Sequence, residues 1–95
     1  MKDLRQSEKV FKALGSRTRL KLLRLLWQEG ELSVTLIARR SGMTIARVSR
    51  NLGILENVGL VKTKETRTWV FYSINTSPSR PWHGLLLKLL KEGLK

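Results

Sequence analysis

Between Val34 and Ile74 the hydrophobic pattern changes period once, and that change restricts the fold more than any other feature of the chain. Val48, Leu52 and Leu55 recur at four- and three-residue steps, which makes a single apolar stripe on a helix. Ahead of them, Leu36, Ile37 and Ala38 form a shorter helical pattern that stops at Ser41-Gly42. Ser41-Gly42-Met43 then reads as a tight turn, with Thr44 as the N-cap of the longer helix. After Asn57-Val58-Gly59 the pattern becomes that of strands. Leu60 to Glu65 and Trp69 to Ile74 are rich in Val, Thr, Trp, Phe and Tyr, and Thr66-Arg67-Thr68 is short enough to be a hairpin turn between them.

The flanking sequence is helical. Asp3 to Leu14 carries Leu4, Val10, Phe11 and Leu14 at loose helical spacing, and Gly15 is expected to end it as a left-handed residue. Ser16 is positioned to cap a second helix whose leucines, with Trp27, cover more than one face, so that helix should be central. Glu29-Gly30 closes it, and Leu32-Ser33-Val34 is a candidate short strand. Ser77-Pro78-Ser79-Arg80-Pro81 interrupts the chain before a leucine-rich helix that runs to Leu94. The predicted fold is mainly α with a small β-hairpin (α+β), in the order α-α-(β)-α-α-β-β-α. Two helices joined by a Gly-containing turn and followed by a hairpin describe a winged helix–turn–helix. A chain of 95 residues accommodates one such domain, 1–95.

The charge says what a domain of this kind can meet. Nineteen Lys and Arg against seven Asp and Glu leave a formal charge of +12, which points to nucleic acid or an anionic membrane as partner. No apolar run approaches the roughly 20 residues that span a bilayer. The first residues lack the apolar core of a signal peptide, and the chain has no cysteine for disulfides or thiolate metal sites. These features suit a cytoplasmic, nucleoid-associated protein.

If Val48, Leu52 and Leu55 face inward, Ala46, Arg50, Gly53 and Asn57 face outward, with Arg47, Ser49 and Ile54 on the flanks. That short-chained, basic face suits a helix entering the major groove. Arg47 and Arg50 are candidates for bidentate contact to guanine, and Thr44 and Ser49 for phosphate or base. Ala46 leaves room for close approach, and Asn51 is grouped with these residues as a DNA contact. Arg39 and Arg40, on the preceding helix, are better placed for phosphate. In the hairpin, Lys62 and Lys64 share one face and Arg67 sits at the tip, forming a basic wing for the DNA backbone or minor groove. Trp69 and Phe71 share a hairpin face and are read as packing residues.

Together, Ala13-Leu14-Gly15-Ser16-Arg17-Thr18-Arg19-Leu20, Glu31-Leu32-Ser33-Val34, Val48-Ser49-Arg50-Asn51-Leu52 with Leu55, Gly59-Leu60-Val61 and Trp69-Val70-Phe71-Tyr72-Ser73-Ile74 resemble the ArsR family of bacterial and archaeal repressors. The resemblance covers about residues 10–75. It implies a dimer built from the first and last helices, binding an inverted repeat and blocking transcription. Members commonly release DNA on binding a metal ion, and one such site uses two cysteines in the stretch matching Glu31 to Thr35. Here that stretch offers Ser33 and Thr35, so no thiolate is available. A second family site, across the C-terminal helices, needs several Asp, His and Glu. This chain brings His83 with Glu92 nearby, so no metal and no cofactor are expected.

The last helix carries Trp82, Leu85, Leu86 and Leu89 in one stripe, broadened by Leu87, Leu90 and Leu94. A stripe that wide can cover its own domain along one edge and a partner along the other. The expected dimer interface therefore combines helices at about 3–14 and 79–94, through Leu4, Phe11, Trp82, Leu85, Leu86, Leu89 and Leu90. Lys88, Lys91 and Lys95 leave a membrane-surface helix as the alternative for this segment. A single histidine and no phosphate-binding glycine loop or paired carboxylates argue against an enzyme. The expected function is sequence-specific binding of double-stranded DNA by a homodimeric repressor on a palindromic operator. The alternatives are an architectural DNA-binding protein or a winged-helix protein-interaction module. RNA is disfavoured by the lack of an aromatic stacking platform.

Overall fold

Three of the helices begin where a hydroxyl takes up a backbone N–H that the helix itself cannot satisfy. In the computed structural model, which describes residues 4–77 and 83–93, Ser16 accepts from Arg19 N (3.3 Å), Ser33 from Leu36 N (3.2 Å) and Thr44 from Arg47 N (3.1 Å). These open α2 (Arg17–Glu29), α3 (Val34–Ser41) and α4 (Ile45–Asn57), after α1 (Leu4–Leu14). Ser16 and Thr44 are the caps expected from sequence; Ser33 adds a third. Gly42, between α3 and α4, has φ 72°, so the helix–turn–helix turn uses the left-handed region that glycine enters without strain. Gly15 does not, contrary to expectation. Its amide returns to Phe11 O (2.9 Å), and a Cβ there would sit 3.2 Å from that same oxygen, so what matters at this position is closeness to α1.

The candidate strand Leu32-Ser33-Val34 is real over Leu32–Ser33 (β1), Val34 instead opening α3, and it joins the hairpin. With β2 (Val61–Glu65) and β3 (Val70–Ile74) it forms an antiparallel sheet in the order β1-β3-β2. Glu65 pairs with Val70, so the turn is four residues long, Thr66–Trp69, rather than three. The Thr66 amide donates to Trp69 O (2.8 Å), and the Trp69 amide donates to Thr66 Oγ1 (3.0 Å). Trp69 therefore belongs to the turn. It is 47% exposed, not a packing residue, because the turn lifts its ring away from the core.

As its all-round apolar pattern implied, α2 is central, with Leu22, Leu23 and Leu26 buried and contacts to α1, α3, α4, β3 and the C-terminal helix. Val48, Leu52 and Leu55 close the core from α4, as the stripe predicted. The C-terminal helix, α5 (His83–Lys88), runs into a π-helical turn at Leu89–Gly93. Its expected start near Ser79, together with Trp82 and Leu94, lies outside the described residues. Leu86 and Leu90, both assigned to a dimer interface, are only 2% and 1% exposed and belong to the core of their own chain. One residue earlier in each turn, Leu85 and Leu89 project to the surface.

Candidate nucleic-acid interface

The first two turns of α4 are solvent-facing and contain no acid. Ile45, Ala46, Arg47, Ser49 and Arg50 are exposed, and the helix reaches its one carboxylate only at Glu56. Thr44 is exposed as well, although its hydroxyl is engaged in capping. Arg50 has the open geometry expected of a side chain that reaches into a groove. Arg47 is exposed but tethered, since its Nη2 donates to Thr18 Oγ1 on α2 (2.9 Å).

Asn51 is the exception among the predicted contacts. It is 9% exposed, its Nδ2 donates to Arg47 O (2.9 Å), and its Oδ1 accepts from Arg19 Nη1 (3.1 Å). Arg19 also donates through Nε to Ala13 O (2.7 Å) and through Nη2 to Lys12 O (3.1 Å). These are carbonyls of the last turn of α1, where that of Lys12 also accepts from the Gly15 amide (3.2 Å). Asn51 is thus withdrawn from the exposed face of α4 and, through Arg19, locks α4 to the end of α1 and the start of α2. The signal was present in its spacing, three residues after Val48 and four before Leu55, which places it on the inward stripe.

Around α4 the other predicted cations are at the surface. Arg39 and Arg40 end α3, Lys62 and Lys64 project from β2, and Arg67 sits in the turn. Arg40 is paired with Glu29 (3.3 Å), so its charge is partly compensated. Trp69 forms a shallow recess with Ser33, Thr35, Leu36 and Arg39, an aromatic at the wing that alternation alone did not reveal. On another side of the molecule, Phe11, Leu14, Leu20, Leu23, Leu85 and Leu89 line an apolar groove of about 380 Å³.

A helix-turn-helix domain family matches residues 14–64, more than half of the chain. An uncharacterised HTH-type transcriptional regulator of Methanocaldococcus jannaschii, MJ1325, is 35% identical over 74 residues, covering 78% of this chain and 83% of the relative. The protein also resembles the homodimeric winged helix-turn-helix DNA-binding domain of Mb0332 from Mycobacterium bovis, a possible ArsR-family transcriptional regulator. That structure superposes with a TM-score of 0.75 at 35% identity, covering 96% of this chain and 83% of that one. This chain belongs to the ArsR-type helix–turn–helix transcriptional regulators. A cadmium resistance regulator, a CadC homolog from Staphylococcus aureus, is 39% identical over 67 residues, which span 70% of this chain and 55% of the relative.

As an ArsR-type chain it has the fold of DNA-binding transcription regulators, not of enzymes. The thiolate metal site of the family does not fit it. At the corresponding positions stand Ser33, whose hydroxyl is already the cap of α3, and Thr35. Among the described residues no three of His, Asp and Glu converge, and His83 Nε2 is buried without a hydrogen-bond partner. No helix among the described residues is long and apolar enough to cross a membrane.

Proposed function

We propose that this regulator is a homodimeric repressor that reads a palindromic operator with the outward face of α4. The observation that carries the proposal is the exposed, acid-free start of that helix, where Ala46, Ser49 and Arg50 stand clear of the core. Arg50 reads guanine, and Arg47 joins it on leaving Thr18. Thr44, Arg39, Arg40 and the wing cations Lys62, Lys64 and Arg67 hold phosphates and fix the register.

The dimer is expected to use the apolar groove, with Phe11, Leu85 and Leu89 as its exposed residues, together with the exposed Leu4 of α1. Support comes from the size of this patch on a small domain and from the homodimer of the M. bovis relative. A two-fold dimer brings its recognition helices into successive major grooves about 34 Å apart. Bound over a promoter, such a dimer excludes polymerase.

Selection of bound duplexes from a random pool, followed by footprinting, tests the proposal. The expected result is one enriched palindrome with half-sites about ten base pairs apart. Uniform coverage without a preferred site would leave an architectural DNA-binding protein. Absence of duplex binding near physiological salt would leave a protein-interaction module.

A further inference from the structure

The recognition helix and wing leave a strongly charged surface of α2 unused. On α2, Arg17, Lys21 and Arg24 recur at four- and three-residue steps on the solvent side, followed by Gln28. Among the described residues none of the three cations has an ion-pair partner, and Glu29, the one acid of α2, is drawn to Arg40. The stripe adjoins the helix–turn–helix at both ends. At one end, Thr18 is hydrogen-bonded to Arg47 in the first turn of α4. At the other, Lys21, Arg24 and Gln28 share a concavity of about 250 Å³ with Arg40 and Ser41, next to the turn that precedes α4.

We infer that the basic side of α2 is a second DNA contact, gripping the phosphate strand that borders the groove entered by α4. This rests on the reading of α4 as the DNA-reading helix. On its α2 side the start of α4 is bordered by this stripe, whose three charged side chains are all cations. Arg17 to Arg24 spans about 10 Å along the helix, the axial rise of three steps between successive phosphates at about 3.4 Å each. The contact carries no base information and acts on affinity and register alone.

The test is chemical interference on the selected site, comparing the wild-type protein with an Arg17→Gln/Lys21→Gln/Arg24→Gln variant and with Lys21→Gln alone. All three side chains are exposed, so the fold should be retained, and circular dichroism checks this. In the wild type, ethylation of particular phosphates and methylation of guanine N7 should both inhibit binding. In the triple variant, interference at a short run of phosphates in each half-site should vanish while guanine interference stays. The slope of log K against log salt should become shallower by about 0.9 for each phosphate that is no longer neutralised. An unchanged phosphate pattern and slope would overturn the inference and leave α4 untouched. So would an unchanged pattern accompanied by weakened retention on a polyglutamate column, which would assign the stripe to an acidic protein. If the wild type shows no guanine interference on any selected duplex, the reading of α4 itself falls.

Discussion

The guanidinium of Arg19 gives all three of its nitrogens to the protein, to the Lys12 and Ala13 carbonyls of α1 and to Asn51 of α4. Charge-assisted bonds of this kind are stronger than neutral ones, and removing one partner strands the other. Asn51→Ala should therefore cost about 1–3 kcal/mol in urea unfolding, with operator preference unchanged once the folded fraction is matched. Arg50→Ala should do the reverse, leaving unfolding unaltered but weakening the selected site about ten- to hundredfold in a gel-shift titration, with little change on random duplex. The two residues are adjacent in sequence, and helical geometry turns them about 100° apart. That angle was legible from the stripe. The partner of Asn51, 32 positions earlier on another helix, was not, because no local pattern encodes a pairing between distant segments. A third residue reports on pH. Burial, then the negative charges of Glu56 and Glu65, push the Tyr72 phenol above its ordinary value of 10.0. Its stabilising contribution is full below pH 10 and is lost as pH rises through the higher native value, so Tyr72→Phe should flatten the alkaline limb of a stability–pH curve.

Caps, turns and alternation make elements readable because they act over a few residues. Ser16, Thr44 and the Val48–Leu52–Leu55 stripe all did what their spacing implied. Two departures at the level of elements share a cause. Trp69 fits the strand pattern of β3, but the Thr66 hydroxyl and amide draw it into the turn, and hydroxyl geometry has no period. In the C-terminal helix leucine is so frequent that no unique face stands out; packing selects Leu86 and Leu90, and leaves Leu85 and Leu89 for the surface. For the wing, whose Lys62 and Lys64 both project outward, Lys62→Gln and Lys64→Gln should each weaken all duplexes about equally. Each should also reduce the salt slope by about one, read from anisotropy titrations across salt concentrations. Equal effects on every sequence would mark the wing as a backbone contact.

For the molecule as a whole, the proposed dimer rests on the apolar groove. Phe11 is 58% exposed and Leu85 48%, on the same groove and away from α4. Phe11→Glu should give a monomer by analytical ultracentrifugation, with operator affinity collapsing towards that of one half-site while the fold persists. Wing and helix–turn–helix are joined at Ser33 as well as by the hydrogen bond from Thr63 of β2 to Glu56 of α4 (3.1 Å). Ser33 ends β1, pairing with Phe71 of the hairpin, and its hydroxyl starts α3. Wing and helix–turn–helix thus share a hinge pin that has been welded: the hairpin cannot swing without fraying the helix that precedes the turn. In the proposed dimer, a signal that changes DNA affinity would act most cheaply on the angle between the two protomers. Stiff protomers also tolerate little error in their target. One base pair inserted between the half-sites, turning the second by about 34°, should cost this dimer most of its specific binding.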